Sequence, residues 1–474
     1  MPDIQSVEES LLARVQATPE TGRAIPDAAT RETIGYAPEH AVADVAAAVA
    51  RAKAAQPAWE ELGHEARAQS LLEVADAVDA HAEALARLLS REQGKPLDGP
   101  NARFEVGACA TWLRAAATIT LETEILIEDG TDHAELTYRA IGVVAAIGPW
   151  NWPLMIAIWQ IAPALRMGNT VVVKPSEYTP LSVLALVDVL NAVLPPDVLV
   201  PIVSSDREVG ARLAAHGDIG KVMFTGSTVT GRRIVEASGA NLARLTLELG
   251  GNDAGIVLPD ADPETIAEGL FWGAFINTGQ TCAALKRLYV HESIYDEVID
   301  ALAAVAERMP MGYGLDEGNV LGPLQNSKQF DIVKRLVDDA KDRGGRVVIG
   351  GEPVPELGPN FFAATIIADL GDGVALVDEE QFGPVLPVIK YANIEDAIAS
   401  ANGLDAGLGA SVWSSDRAVA RAVAARLRAG TVWINAHGAV HPNIPFGGVK
   451  NSGYGLEFGV EGLKAVAEPR VVAG

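Results

Sequence analysis

An α/β fold with two parallel-sheet domains and a small antiparallel β arm is predicted by three observations. Short β-branched runs alternate with helical segments from residue 141 to 250, and again from 255 to 435. Alternation at this spacing implies parallel sheets covered on both faces. A β-prone stretch over residues 118–140, broken by Asp129-Gly130, interrupts an otherwise helical N-terminal region and reads as an antiparallel excursion. The chain has 474 residues, 49% apolar and 21% charged, which is a globular composition and more than one hydrophobic core serves.

The elements follow in order. Residues 1–40 read as irregular, with a hairpin near Thr21-Gly22-Arg23. Val42, Val45, Val49 and Ala50 recur at helical spacing and predict a helix over 41–59. Leu71, Leu72, Val74, Val78, Leu85 and Leu88 predict one long helix over 64–94, and a third follows over 96–117. In the arm stretch Ile119, Leu121, Ile125, Ile127, Leu136 and Tyr138 mark the β-prone runs. Strands are predicted at 141–147, 170–173, 198–203, 221–224 and 244–247, with helices at 154–166, 181–194, 209–215 and 230–238 between them. A second unit opens with a strand ending at residue 258, a helix from 262 to 277 and a strand from 287 to 291. The tail, 465–473, is β-like and can pair with the 118–138 stretch. An arm built from two distant segments suits exchange between subunits, so a homodimer or homotetramer is expected.

Bulk properties narrow the partners. The chain carries 62 acidic against 37 basic residues, a net charge of −25. That disfavours nucleic acid and anionic membrane, which need a positive surface. Residues 140–165 lack charge, but Gly148-Pro149-Trp150-Asn151-Trp152-Pro153 divides them into a strand and a helix, each short of a membrane span. Two cysteines form no disulfide framework, and the start shows no basic and apolar leader, so a cytoplasmic location is expected. No His, Cys and Asp spacing suggests a metal.

Ligands of parallel sheets bind beyond the carboxyl ends of the strands, so the residues just after each strand carry the chemistry. Asn151 follows the first strand, where its amide can serve a developing oxyanion or cap the next helix. Lys174-Pro175-Ser176-Glu177 follows the second. Lys174 and Glu177 can grip ribose hydroxyls, or the segment is a solvated acidic helix start. Phe224-Thr225-Gly226-Ser227 opens a helix at a third strand and suits a pyrophosphate, although no Gly-x-Gly-x-x-Gly occurs in the chain. In Leu247-Glu248-Leu249-Gly250-Gly251 a half-buried Glu248 can act as a base, or is simply a solvated strand end. Cys282 follows an Asn-x-Gly-Gln turn and precedes a strand, a place where a thiol can face a cleft rather than fill a core.

Taken together these segments resemble the aldehyde dehydrogenase superfamily. The Phe275-x-Asn-x-Gly-Gln-x-Cys282 run, with Arg287 five residues on, is similar to that family's nucleophile segment. Pro149-Trp-Asn-Trp-Pro153 resembles its Pro-Trp-Asn-Phe-Pro, with Trp152 for Phe. Glu380-Gln-Phe-Gly-Pro-Val385 and Pro445 to Gly453 resemble two further motifs, the usual Arg before Glu457 being Leu456. The segment around Glu457 is read as structural. The resemblance implies two Rossmann-like domains: residues 1–117 with 141–250 binding NAD, and 251–450 catalytic. Residues 118–140 and 460–474 form the oligomerisation arm.

The resemblance further implies site roles. Cys282 is the nucleophile, Glu248 the base that assists hydrolysis of a thioester, and Asn151 an oxyanion donor. Ile147, Pro149, Trp150, Lys174, Ser176, Glu177, Phe224, Gly226, Ser227, Leu249, Glu380 and Phe382 form the cofactor site, with NAD favoured over NADP by the Glu177 charge. Trp152, Ile156, Trp159, Thr281, Ala283 and His437 line the substrate pocket. This pocket and the loop 433–444 hold no Lys or Arg, only His437 and His441 as possible cations. An uncharged aliphatic or aromatic aldehyde is therefore the expected substrate, with a semialdehyde or betaine-aldehyde type as the alternative. A CoA-acylating enzyme, a crystallin-like structural protein and a thiol redox sensor are the rival functions. Retention of Glu248 speaks against the first, and the set of nucleotide motifs against the third.

Overall fold

The computed structural model describes residues 4–474. Helix α1 (Ile4–Val15) precedes a hairpin of β1 (Arg23–Pro26) and β2 (Thr33–Ala37). This corrects the reading of residues 1–40 as irregular, of which 1–3 lie outside the described residues. Leu11 and Leu12 are the buried apolar side chains of α1, too few to show a period. The hairpin turn lies beyond β1, where Asp27 Oδ1 accepts the N–H groups of Ala29 and Thr30 at 2.9 and 3.0 Å, and not at Thr21-Gly22-Arg23. Helix α2 (Asp44–Glu61) is followed by α3 (Gly63–Ala80) and α4 (Ala82–Gln93), where hydrophobic spacing predicts a single helix over 64–94. His81, at φ −112° and ψ 10°, breaks the run. Gly94 then ends α4 in the left-handed conformation that favours glycine, φ +97°. Helix α5 (Ala102–Thr118) begins later than residue 96.

The arm follows. Strands β3 (Glu124–Glu128) and β4 (His133–Ala140) pair antiparallel, and the C-terminal β18 (Ala467–Ala473) lies on the other side of β4, from Ala467 opposite Ala140 to Ala473 opposite Ala134. Ile125, Leu126 and Ile127 of β3 are exposed.

The first large sheet comprises β5 (Val143–Ile147), β6 (Thr170–Lys174), β7 (Leu199–Pro201), β8 (Ile219–Thr225) and β9 (Arg244–Glu248), all parallel. Helices α6 (Pro153–Arg166), α7 (Pro180–Asn191), α8 (Arg207–Ala214) and α9 (Thr228–Ser238) connect them. Side chains alternate between the faces as strand geometry requires. Val144 and Ala146 of β5 join the core under α6 and α7, while Val143, Ala145 and Ile147 join the core under α2 and α8. The uncharged stretch 140–165 is thus a buried strand and a buried helix, and no described helix is long and apolar enough to cross a membrane.

The second large sheet is built from β10 (Asp253–Val257), β11 (Leu285–His291), β12 (Arg346–Ile349), β13 (Thr365–Ala368), β14 (Val385–Tyr391), β15 (Gly409–Trp413) and β16 (Thr431–Ile434), in the order β12-β13-β14-β11-β10-β15-β16. Only β12 runs antiparallel to its neighbour. Its helices are α10 (Pro263–Phe275), α11 (Tyr295–Glu307), α12 (Ser327–Asp342), α13 (Ala375–Asp378), α14 (Ile394–Gly403) and α15 (Arg417–Ala424). Several start on an Asp or Asn whose side chain accepts a backbone N–H, as Asp262, Asn326, Asn393 and Asp416 do. The chain then returns to the first sheet. Strand β17 (Gly453–Tyr454) adds antiparallel beside β9, placing Gly453 opposite Glu248, and α16 (Gly459–Ala465) leads into β18.

Order in the first sheet is β17-β9-β8-β5-β6-β7. The chain proceeds from β5 to β6 and β7 on one side, and to β8 and β9 on the other. A topological switch point therefore lies between β5 and β8, where a crevice opens at the carboxyl ends.

One buried carboxylate anchors the helical layer. Glu92 accepts the N–H groups of Leu181 and Ser182 at 2.7 and 2.8 Å at the start of α7, and burial pushes its carboxyl up to about 7. Glu92→Ala leaves two buried donors unpaired, a loss on the order of 2–4 kcal/mol. We expect a clear fall in the thermal midpoint of that variant. An unchanged midpoint would contradict the anchoring role.

Candidate active site

Cys282 is presented by a turn that the backbone alone disfavours. After α10, residues Asn277, Thr278 and Gly279 take φ of 51°, 55° and 73°, the left-handed region that costs about 1 kcal/mol or more for a residue with a Cβ. Side chains hold the turn there. Asn277 Nδ2 donates to the carbonyls of Asn151 at 2.9 Å and Gln280 at 3.2 Å. Thr278 Oγ1 accepts the Gly322 N–H at 2.9 Å, and Gln280 Oε1 accepts the Gln325 N–H at 2.9 Å. Lys286 Nζ donates to the carbonyls of Gly279 and Gly383 at 2.6 and 3.1 Å. A Cβ on Gly279 would overlap the Gly383 carbonyl, so glycine is required there by contact as well as by φ. Cys282 itself is half-buried, with Ala283 buried behind it.

Asn151 does not cap α6. That helix has Trp152 at its N-cap position without a side-chain cap, and the Asn151 amide donates instead to the Gln280 carbonyl at 3.0 Å. Asn151 is buried, and its acceptor Gln280 precedes Cys282 by two residues in the chain.

Three carboxylates surround the thiol. Burial pushes the Cys282 thiol up, and the charges of Glu248, Glu380 and Asp253 push it further. Glu248 ends β9, is buried, and neither of its oxygens has a hydrogen-bond partner. Burial, then the charge of Glu457, holds its carboxyl well above the usual range. Glu457 is likewise buried with both oxygens unpartnered, pushed up to about 8 by burial and pulled down by Lys221. Lys221 Nζ donates to Thr246 Oγ1 at 2.7 Å. Sequence reasoning missed Glu457. The available signal was an acid between apolar neighbours, Leu456 and Phe458, in a segment otherwise read as structural. Glu380 accepts the Gly251 N–H at 3.1 Å, and burial raises it to about 7 against the pull of that bond and of Lys286.

The crevice at the switch point gathers the remaining residues. Ile147 ends β5, Gly148 N–H donates to the Lys174 carbonyl at 3.0 Å, and Pro149 and Trp150 are half-exposed beyond it. Nothing lies within 4 Å of where a Gly148 Cβ would stand. Lys174 Nζ approaches only main-chain carbonyls, Ser204 at 3.3 Å and Pro175 at 3.5 Å, and burial lowers its pKa. Ser176 and Glu177 are half-exposed beside it. Phe224 is buried, Gly226 follows β8, and Ser227 caps α9 by accepting the Thr230 N–H at 3.3 Å. Leu249 N–H donates to the Ser452 carbonyl at 3.0 Å. On the facing wall Phe382 packs edge-on against Trp150, ring centroids 5.4 Å apart. An ammonium with weak partners, a capped helix start and a half-buried acid suit the hydroxyls and phosphates of a dinucleotide.

A second recess runs along α6. Trp152 Nε1 donates to Thr281 Oγ1 at 2.9 Å, and Ile156 and Trp159 follow at helical spacing on the same face. Trp159 packs edge-on with Phe458 at 4.7 Å and lies 5.6 Å from Trp112. With Ile119, Pro442 and Leu463 these rings line a small apolar depression without a charged side chain, which Trp152, Ile156 and Thr281 do not border. The His437 side chain is fully buried, its Nδ1 bonded to Ser411 Oγ at 2.8 Å and its Nε2 facing Asp253 at 3.6 Å.

The chain is similar to known proteins over nearly its whole length. The family model described as Aldehyde dehydrogenase family matches residues 15–472. Phenylacetaldehyde dehydrogenase of Pseudomonas fluorescens is 41% identical over 448 residues, covering 92% of this chain and 89% of its own. Mouse retinaldehyde dehydrogenase 3 is 38% identical over 424 residues, covering 87% and 81%. The crystal structure of PnpE from Pseudomonas sp. WBC-3, in complex with nicotinamide adenine dinucleotide, superposes with a TM-score of 0.93 at 37% identity, covering 97% of this chain and 95% of that one.

The raised carboxyls set a pH dependence. In the folded protein Glu457 keeps its proton up to about 8, whereas the unfolded chain releases it near the ordinary 4.5. The folded state binds more protons across that window, so stability falls as pH rises through it. Glu457→Gln is expected to flatten the decline of the thermal midpoint between pH 5 and 8.5. An identical decline in both proteins would contradict the assignment.

Proposed function

The chain belongs to the aldehyde dehydrogenase family, and on that premise we propose that it oxidises an uncharged aliphatic or aromatic aldehyde to the carboxylic acid with NAD as the preferred hydride acceptor. Cys282 attacks the aldehyde carbon as its thiolate, the thiol proton leaving to solvent as the proton of the overall reaction. The Asn151 amide and the Cys282 N–H hold the oxyanion that forms; one such donor is worth roughly 10²–10³ in rate. The residues of the crevice would hold NAD there, and it would supply the acceptor for the hydride of the substrate carbon. The thioester left on Cys282 is then hydrolysed, Glu248 taking a proton from the attacking water and the thiol being restored. The single observation that carries this reading is Glu248: a buried carboxylate, unpartnered at both oxygens, whose charge is felt at the Cys282 thiol.

Lys174 and Glu177 serve the adenosine ribose, Ser176, Phe224, Gly226, Ser227 and Leu249 its surroundings and the pyrophosphate, and Ile147, Pro149, Trp150, Glu380 and Phe382 the nicotinamide end. The half-exposed Glu177 would repel a 2′-phosphate, which favours NAD over NADP. Trp152, Ile156, Trp159, Thr281 and Ala283 hold the aldehyde. His437 supports that wall from behind, its ring being engaged with Ser411 and Asp253. The substrates in the names of the two relatives, phenylacetaldehyde and retinaldehyde, are uncharged, and Trp152, Ile156, Trp159, Thr281 and Ala283 carry no charge either.

Residues 1–117 and 141–250 act as the NAD-binding domain and 251–450 as the catalytic domain. Residues 118–140 and 460–474 act as an arm through which two or four copies assemble, the exposed Ile125, Leu126 and Ile127 supplying apolar surface. The enzyme works in the cytoplasm.

NADH production with an aldehyde panel tests the reading. Hexanal and benzaldehyde should be turned over with higher kcat/KM than succinate semialdehyde, and faster with NAD than with NADP. Cys282→Ser should abolish turnover. A strong preference for the semialdehyde, or an active serine variant, would contradict it.

A further inference from the structure

Behind the proposed oxyanion donor lies an ion pair with no contact with solvent. Lys95 Nζ and Glu105 Oε2 are 2.6 Å apart, and both side chains are wholly inaccessible. Burying two charges costs several kcal/mol per ion, and a well-packed apolar pair of the same size is often as stable or more so. Stability alone is therefore a poor account of this pair. Its other contacts are specific. Lys95 Nζ also donates to the Asn151 carbonyl at 2.7 Å and stands 3.4 Å over the ring of Trp152. Glu105 Oε1 accepts the N–H groups of Leu154 and Met155 at 2.8 and 3.1 Å. Helix α6 has no side-chain cap of its own, so Glu105, from α5, supplies one. Lys95 fixes the peptide just before that helix. The segment from Asn151 to Met155 is thus held at one end by Lys95 and at the other by Glu105.

We propose that Lys95 is a positioning residue for the side-chain amide of Asn151, acting through the Asn151 carbonyl. This rests on the reading of Asn151 as the oxyanion donor. One amide hydrogen of Asn151 is taken by the Gln280 carbonyl. The direction of the other depends on how the Asn151 backbone is held. Two donors hold it, Lys95 Nζ at 2.7 Å and Asn277 Nδ2 at 2.9 Å. Lys95 is the charged one, on a segment that neither the nucleophile nor the base belongs to. A displacement of about 1 Å at such a group can reduce rate by about 10²-fold.

A double-mutant cycle between Lys95→Met and Asn151→Ala tests this, with kcat, KM for hexanal and the iodoacetamide alkylation rate of Cys282 read for each protein. Lys95→Met should lower kcat about 10- to 100-fold and leave KM and the alkylation rate within about 3-fold. In the Asn151→Ala background the same change should lower kcat by no more than about 2-fold, because its target is gone. The neutral pair Lys95→Met with Glu105→Gln leaves no unpaired charge in the core, and should repeat both results where the single variant folds poorly. Equal losses in the two backgrounds would overturn the proposal while leaving Asn151 its role. An Asn151→Ala enzyme as fast as wild type would overturn the oxyanion reading, and this proposal with it.

Discussion

The left-handed turn at Asn277, Thr278 and Gly279 is the constraint on which the rest of the site depends. It reverses the chain between α10 and β11, and Cys282 just beyond it packs against the core that includes β5, α6 and α7. Two of the three residues carry a Cβ in a region that penalises it. The turn persists because each residue is tied to a different part of the molecule: Asn277 to Asn151, Thr278 to Gly322, and Gly279 by close packing on Gly383 and a bond from Lys286. Gln280 adds a bond to the Gln325 N–H. One of these bonds, from Asn277 to the Asn151 carbonyl, also ties the turn to the segment that follows β5 in the other sheet.

Electrostatics follow from that closure. A site assembled from strand ends and a buried loop excludes water, and exclusion raises the proton affinity of Glu248, Glu380 and Glu457. Glu248 and Glu457 have no hydrogen-bond donors to offset this, while Glu380 has the Gly251 N–H and the nearby Lys286. Lys286 is lowered to about 7 by burial, against the opposing pull of the Glu380 and Asp253 charges. Burial, and then the charges of Glu248, Glu380 and Asp253, likewise push the Cys282 thiol up. Unpaired buried acids also lower stability above their folded pKa, so the site is maintained by the packing around it.

Much of this was legible in the sequence, and the limits have physical reasons. Parallel strands buried on both faces are continuous apolar runs, so β5, β6, β8 and β9 could be placed nearly to the residue, and the residues just beyond them are those that line the crevice. The arm was also readable, since Ala467–Ala473 is β-prone and pairs with β4. Helix α1 was not, because few of its apolar side chains are buried. The break at His81 was hidden because Leu71, Val78 and Leu85 keep helical spacing across it. Glu457, Lys95 and Glu105 were missed for one reason. Each is a charged side chain whose burial arises from tertiary packing, and no local pattern distinguishes a charge in a core from one in water.

The account stands most directly on a covalent acyl group at residue 282. Incubating Glu248→Gln enzyme with NAD and hexanal, then measuring peptide masses, tests it. Oxidation of the thiohemiacetal without hydrolysis leaves the Cys282 peptide heavier by one acyl group in place of the thiol hydrogen, with one equivalent of NADH released. A burst of NADH with an unmodified Cys282 peptide, or an acyl group on Cys109 instead, would contradict the account.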